Sequence, residues 1–368
     1  MQYHIILTER CNLKCKYCYE KSMQEFDNGL AEKWDYDETT PFDSDVSVEK
    51  LKKFLRSDDR LIFYGGEPLV MVDKIKEIID GVNCKFGIQT NGILLGRLPI
   101  KYMKKIDKML VSLDGNSVRT DENRGSGIYK IVLNNLKNLR KNGYNGEVVV
   151  RMTLTKPDIF EQVMNLVPLI DDGTVDSVHW QVDAGFYKFD FDKENFSKFV
   201  EEYNKEIDKL INWWVEKIRL GKVYKFYPFI GVFNRLAGYD DETRLPCGSG
   251  YENFTINTSG KLSACPIMNS VKNFYCGSVE EGIDNEIQIT DEKCLNCPEF
   301  KICGGRCLYS RNAKLWPNEG DDLICETIKN LIMKIRGKIP EIKKLLEKGV
   351  VKKENFLYEK YFGPEIIP

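Results

Sequence analysis

The chain has 368 residues, 42% of them hydrophobic, which can supply one large or two moderate cores and excludes a disordered or fibrous protein. Its 54 Lys and Arg stand against 56 Asp and Glu, so charge gives no ground for a nucleic-acid or anionic-membrane partner. No apolar run approaches the roughly 20 residues of a membrane span, and MQYHIILTER lacks the features of an export signal, so a cytoplasmic location is expected.

From the start to about residue 190, short apolar runs alternate with charged, helix-period stretches, a pattern that predicts α/β structure with parallel strands. Six strands are predicted: YHIILT (3–8), RLIFYGG (60–66), KFGIQTNG (85–92), KMLVSLDG (108–115), EVVVRMTLT (147–155) and DSVHWQV (176–182). Helices are predicted between them, including SVEKLKKFL behind a Ser47 cap, VDKIKEIID, and YKIVLNNLKNLRKNG stopped by Gly143. Six such units fit a partial (βα)6 barrel. The acidic stretch from Asp27 to Asp45 reads as a solvated loop.

After residue 190 the pattern predicts a long amphipathic helix, ENFSKFVEEYNKEIDKLINWWVEKIRLG, and then an aromatic-rich stretch to about Leu245. This segment, 191–246, reads as a bridge between a first domain (1–190) and a cysteine-rich one (247–325). Residues 326–368 read as a helical tail bearing Tyr and Phe.

Twelve cysteines in a chain without an export signal point to metal or redox chemistry and away from disulfides. His4 and His179 are the two histidines, so a bound metal must be held mainly by thiolate. Thiolate ligation selects iron–sulfur clusters or structural zinc. Cys11, Cys15 and Cys18 follow the first strand in CNLKCKYC. Sulfur-bound metals ordinarily take four ligands, and three leave one position open, as at a catalytic metal site. In such barrels the chemistry lies at the carboxyl ends of strands. There the sequence places GGEP (65–68) after strand two, QTNG (89–92) after strand three and SLDG (112–115) after strand four.

CxxxCxxC with Tyr17 before its last cysteine strongly resembles the signature of the radical S-adenosylmethionine (SAM) enzymes. The resemblance implies a [4Fe–4S] cluster on Cys11, Cys15 and Cys18 whose fourth iron binds SAM, which is then split to methionine and a 5′-deoxyadenosyl radical. Gly65, Gly66, Glu67 and Pro68 resemble the family's methionine-binding loop, where glycine lets backbone approach the ligand. SLDG and the later NRG imply that Ser112 and Arg124 lie near the ligand carboxylate; Arg suits it through its planar fork. Thr90, Asn91 and Asp114 are rim candidates, and Asp114 has a turn-capping alternative.

Cys247, Gly260 and Cys265, then Cys294, Cys297, Cys303, Cys307 and Cys325, resemble the seven-cysteine pattern of the SPASM domain, found in radical enzymes that modify peptides and proteins. The resemblance implies two auxiliary [4Fe–4S] clusters, three in all. Cys294, Cys297, Cys303 and Cys325 would hold one completely, and Cys247, Cys265 and Cys307 the other. Cys276 is a candidate to complete that second set, or to return a hydrogen atom to a substrate radical as an epimerase requires. Cys84 reads as a small buried hydrophobe.

These readings predict SAM-dependent modification of a ribosomal peptide or protein by cross-linking, thioether formation, epimerisation or oxidation. Pro266 follows the second SPASM cysteine where sulfatase-maturing relatives carry Asp, which disfavours that outcome. The alternatives are a related enzyme acting on a small-molecule cofactor precursor and, more remotely, an iron–sulfur electron carrier or a zinc-binding module. With the radical loop starting at residue 11, a leader-binding module before it is not expected. Recognition would fall to the chain itself, for which the aromatic bridge (Trp213, Trp214, Tyr224, Phe226, Tyr227, Phe229) is one candidate and core packing its alternative, or to a separate protein. An electron donor such as flavodoxin or ferredoxin is a further expected partner.

Overall fold

The computed structural model describes residues 1–19, 29–241 and 244–362. Among them run the strands β1 (Gln2–Ile6), β2 (Arg60–Tyr64), β3 (Lys85–Thr90), β4 (Ile106–Ser112), β5 (Glu147–Leu154), β6 (Ser177–Val182), β7 (Lys225–Phe226), β8 (Asn253–Ile256), β9 (Lys261–Ser263), β10 (Tyr275–Ser278) and β11 (Gly282–Ile283). The longer helices are α1 (Val48–Phe54), α2 (Val72–Gly81), α3 (Ser117–Arg124), α4 (Ile128–Lys141), α5 (Ile159–Asp171), α6 (Lys193–Arg219), α7 (Tyr227–Ala237) and α8 (Asn318–Glu347). All six strands predicted before residue 190 form, and no helix among the described residues is long and apolar enough to cross a membrane.

The chain divides into two compact units. The first comprises Met1–Arg151, Leu169–Asp176 and Gly248–Gln288, and the second Met152–Pro168, Ser177–Cys247 and Ile289–Pro368.

In the first unit the strand order is β11-β10-β9-β8-β1-β2-β3-β4-β5, of which β5 contributes its residues up to Arg151. Neighbours from β8 to β5 are parallel, whereas β9, β10 and β11 continue the sheet antiparallel. All five residues of β2, RLIFY, are buried, as a parallel strand covered on both faces requires. Arg60 is the polar exception among them: its guanidinium binds the Asp107 carboxylate and donates to the Phe86 carbonyl at 3.2 Å. Ser47 caps α1 as expected, accepting from the Lys50 N–H.

The acidic stretch behaves differently from the expected solvated loop. Over its described part, Leu30 and Trp34 are buried, Trp34 lying edge-on to Phe274 at 5.4 Å. The Asp37 N–H donates to the Ser270 carbonyl (2.7 Å) and the Lys272 N–H to that of Asp35 (2.8 Å). Two apolar anchors thus hold a segment whose charge count predicts solvation; Asp27 lies outside the described residues.

In the second unit β6 pairs in parallel with β7, and α6 packs along α8. Trp180 is fully buried, its indole N–H donating to the Tyr203 hydroxyl at 3.0 Å and its ring meeting Phe229 at 5.3 Å. Trp214, Tyr224, Phe226, Tyr227 and Phe229 are buried as well, with Trp213 tilted over Tyr224 at 5.0 Å. The aromatic bridge is therefore core, because rings of this area gain more from burial here than a solvent-facing surface would allow, and its reading as a peptide surface is withdrawn. Helix α8 begins before Cys325, which sits within it.

Candidate active site

The site in the first unit is built from the loops that leave β1, β2, β3 and β4 at their carboxyl ends. The cysteine loop after β1 is pinned to the GGEP loop by two backbone hydrogen bonds, Gly66 N–H to Thr8 O (2.8 Å) and Glu67 N–H to Arg10 O (2.9 Å). Gly65 has φ +139°, and a Cβ on it would stand 2.3 Å from the Thr8 carbonyl oxygen; one on Gly66 would stand 2.4 Å from that of Arg10. The glycines are thus demanded first by the passing cysteine-loop backbone, a closer reason than the expected approach of a ligand.

Glu67 turns its carboxylate inward. It accepts from the Thr90 hydroxyl (2.7 Å), the Asn91 N–H (2.8 Å) and the Leu69 N–H (3.1 Å), and burial holds its carboxyl above the usual range against those bonds. Its side chain is a brace between the loops after β2 and β3. From that braced position Asn91 donates through Nδ2 to Asn12 Oδ1 at 2.8 Å and reaches to 3.9 Å from Cys11 Sγ.

The loop after β4 grips the other end of the cysteine loop. Tyr17 donates to Asp114 Oδ2 (2.6 Å), and Arg124 forks onto the same carboxylate through Nε (2.9 Å) and Nη2 (3.1 Å). The Arg124 guanidinium also lies 5.2 Å from the centre of the Tyr17 ring, and the Lys16 N–H donates to Asn123 O at 3.0 Å. Burial pushes the Tyr17 phenol well up, against the pull of Arg124. Asp114 is fully buried, so its candidacy as a rim residue is corrected to that of an anchor, with its oxygens taken up by protein donors. Ser112, the last residue of β4, stays half-buried opposite Arg151 of β5.

Between these anchors Cys11 is exposed and Cys15 and Cys18 are half-buried. The donor set is sulfur alone and three in number, which fits an iron–sulfur cluster with one open iron better than a closed zinc shell.

In the second unit Cys294, Cys297, Cys303 and Cys325 line one cavity of about 170 Å³. Among the described residues no three such groups stand at metal-ligating spacing, so the thiols share a cavity, not a closed shell. Desolvation pushes the Cys303 thiol up to about 12, with the Cys325 and Cys294 sulfurs adding to it. Four thiols lining a void of that size fit a bound cluster, whose iron would stabilise them as thiolates. Cys265 is buried in the first unit; Cys247 and Cys307 are buried in the second.

Cys276 is fully buried on β10, its thiol donating to the Phe274 carbonyl (3.5 Å) and pushed up to about 12 by burial. A hydrogen-atom donor must present S–H to a substrate, so that candidacy is withdrawn. Cys84 is half-buried and not the buried hydrophobe expected, and desolvation pushes its thiol up to about 12. Sequence reasoning missed Asp43, which accepts from the Thr8 hydroxyl (2.7 Å) and pairs with Arg10 (2.8 Å), steadying the loop from outside. One carboxylate among the many of an acidic stretch carries no local signal.

The site is thus a three-thiol turn fastened by the carboxyl-end loops of a parallel α/β sheet. Residues 5–170 match the radical SAM superfamily, so this part of the chain carries a radical SAM domain. Among curated relatives, the radical SAM cyclopropyl synthase TigE of Paramaledivibacter caminithermalis is 24% identical over 83% of this chain and 67% of its own. Molybdenum cofactor biosynthesis protein 1 of Bos taurus is 28% identical over 72% of this chain and 41% of its own. Among solved structures, native anSMEcpe with bound AdoMet and Kp18Cys peptide aligns with TM-score 0.62 and 15% identity over 94% of this chain and 99% of that one. Streptococcus suis SuiB bound to its precursor peptide SuiA aligns with TM-score 0.54 and 16% identity over 84% and 72%. The expected fold, an α/β radical SAM core with a cysteine-rich SPASM-type region, is the one these neighbours share, and the family implies SAM and a [4Fe–4S] cluster.

Proposed function

We propose that this enzyme acts on a ribosomally made peptide or protein, generating a radical at one of its side chains or backbone positions. The observation that carries the reading is the pairing, in one chain, of a braced three-thiol loop with a separate four-thiol cavity. Neighbours solved with bound peptides support it. Cys11, Cys15 and Cys18 would hold the SAM-binding cluster, and Cys294, Cys297, Cys303 and Cys325 an auxiliary cluster. When bound, the first cluster supplies one electron to SAM, giving methionine and a 5′-deoxyadenosyl radical that becomes 5′-deoxyadenosine on taking a substrate hydrogen atom.

This chain's residues prepare that event by position. Asp114 and Arg124 clamp Tyr17 and so the end of the cysteine loop, while Glu67 and Asn91 steady its beginning. Gly65 to Pro68, Asn91, Ser112 and Arg124 would be the residues that hold SAM. The electron would come from a flavodoxin or ferredoxin, and leader recognition from the chain or a separate protein.

A cofactor precursor as substrate is the second reading, favoured by the relative in molybdenum cofactor biosynthesis. Anaerobic reconstitution with iron and sulfide, followed by reduction with SAM and peptides encoded beside the protein, separates the two. Deoxyadenosine with a mass change on a peptide supports the proposal, whereas deoxyadenosine that rises only with small-molecule extracts favours the second reading. No deoxyadenosine under any condition rejects both.

A further inference from the structure

We propose that Arg306 and Arg311 are the charge and hydrogen-bond partners of the sulfur atoms in the cluster held by Cys294, Cys297, Cys303 and Cys325, and that they raise its reduction potential. The inference rests on reading that cavity as an auxiliary cluster site.

Both arginines line the cavity together with the four thiols. They are 4% and 5% exposed, and Arg311 hydrogen-bonds the Cys294 sulfur, yet among the described residues the Nε of each and Nη1 of Arg311 have no hydrogen-bond partner. Arg311 has two carboxylates near it, Asp321 at 3.5 Å and Asp291 at 3.9 Å, distances at or beyond the limit of a hydrogen bond. Guanidinium groups buried with idle donors are destabilising unless something anionic completes them. Thiolate and sulfide of an iron–sulfur cluster are such acceptors, and they would sit in the same cavity.

The backbone supports the assignment. Gly304, Gly305 and Arg306 all have left-handed φ (64°, 83° and 64°), the last an uncommon conformation for a residue with a side chain. The positive φ of Gly305 favours glycine there, and the turn delivers Arg306 to the cavity.

Reduction adds one electron to the cluster, from the 2+ to the 1+ core, and transfers no proton, since arginine stays protonated throughout. The added negative charge falls on iron and sulfur. Buried cations and N–H donors beside the sulfurs stabilise the reduced form more than the oxidised one. Removing either arginine should therefore make reduction harder.

The test is a potentiometric titration followed by electron paramagnetic resonance in a full-length Cys11→Ala, Cys15→Ala, Cys18→Ala background, which leaves the auxiliary signals. Adding Cys294→Ala identifies the signal of this cavity by its loss; if neither signal nor iron is lost, the cluster reading fails and the arginine proposal with it. With the signal assigned, Arg311→Gln and Arg306→Gln should each lower the reduction constant at least tenfold, about 59 mV for one electron. Arg311→Lys should recover part of the shift, and exposed Arg219→Gln should do nothing. Unchanged potentials at unchanged iron content overturn the proposal. Where a glutamine variant loses the cluster, the same background carrying 15N-arginine decides: nitrogen modulation of the cavity's spin echo is expected, and its absence overturns the proposal.

Discussion

Asp114 shows how much rests on single side chains. It is fully buried and is approached by Tyr17, Asn123 and Arg124, whose own charge is nearly as deep. Removing one partner of a buried pair leaves the other uncompensated, so Asp114→Asn should cost about 3 kcal/mol of unfolding free energy by denaturant titration. The ligand candidates around it were legible because cysteine, glycine and arginine sit in recognisable strings. The anchoring was not, because Tyr17 and Asp114 meet through the fold and not through sequence proximity. His4 makes a second case. Burial lowers its pKa from 6.5 to about 4, so it stays neutral while hydrogen-bonded to Asn253 at 2.9 Å. Below pH 6.5 the unfolded chain takes up a proton that the folded chain refuses until about pH 4. Stability is then present in full above 6.5 and falls by about 1.4 kcal/mol per unit toward 4, roughly 3 kcal/mol in all. His4→Gln should remove that part of the slope when unfolding free energies are compared across this range.

Elements position the loops, and the tightest joint lies between β1 and β2. Their parallel register, Ile6 beside Tyr64, delivers the cysteine loop and the GGEP loop side by side. The strands were readable from apolar runs, and the loop contact was readable only as a glycine pair whose reason lay elsewhere. Because the neighbour of Gly66 is backbone and not a flexible side chain, Gly66→Ala cannot be absorbed by a rotamer change. The cysteine loop must move, and iron bound at Cys11, Cys15 and Cys18 should fall while iron elsewhere is kept. Gly96→Ala, with nothing within 4 Å of its added methyl, is the matched control and should change neither iron content nor midpoint by more than about 1 kcal/mol.

At the scale of the whole chain, the cysteine-rich stretch is compositionally one segment but contributes to both units, dividing after Cys247 and again after Gln288. The cause is strand pairing: β8 joins β1, with Asn253 beside Gln2, and draws β9, β10 and β11 into the first unit's sheet. Cysteine spacing records ligand chemistry, while this pairing depends on a register between distant strands that local periodicity does not encode. The Cys11, Cys15 and Cys18 set of the first unit and the Cys294, Cys297, Cys303 and Cys325 set of the second should therefore lose metal independently. Under anaerobic reconstitution, Cys11→Ala and Cys325→Ala should each remove about four irons per chain, and the double variant about eight, since cluster sites with no shared ligand add. Cys325→Ala should leave the iron at Cys11, Cys15 and Cys18 in place, because Cys325 stands on α8 in the second unit, whereas those three are anchored by β1, β2 and α3 in the first. Iron and acid-labile sulfide assays on the four proteins check the arithmetic. A single-variant loss that empties both sites, or zinc without sulfide, would contradict the placement of two separate sulfur-ligated centres.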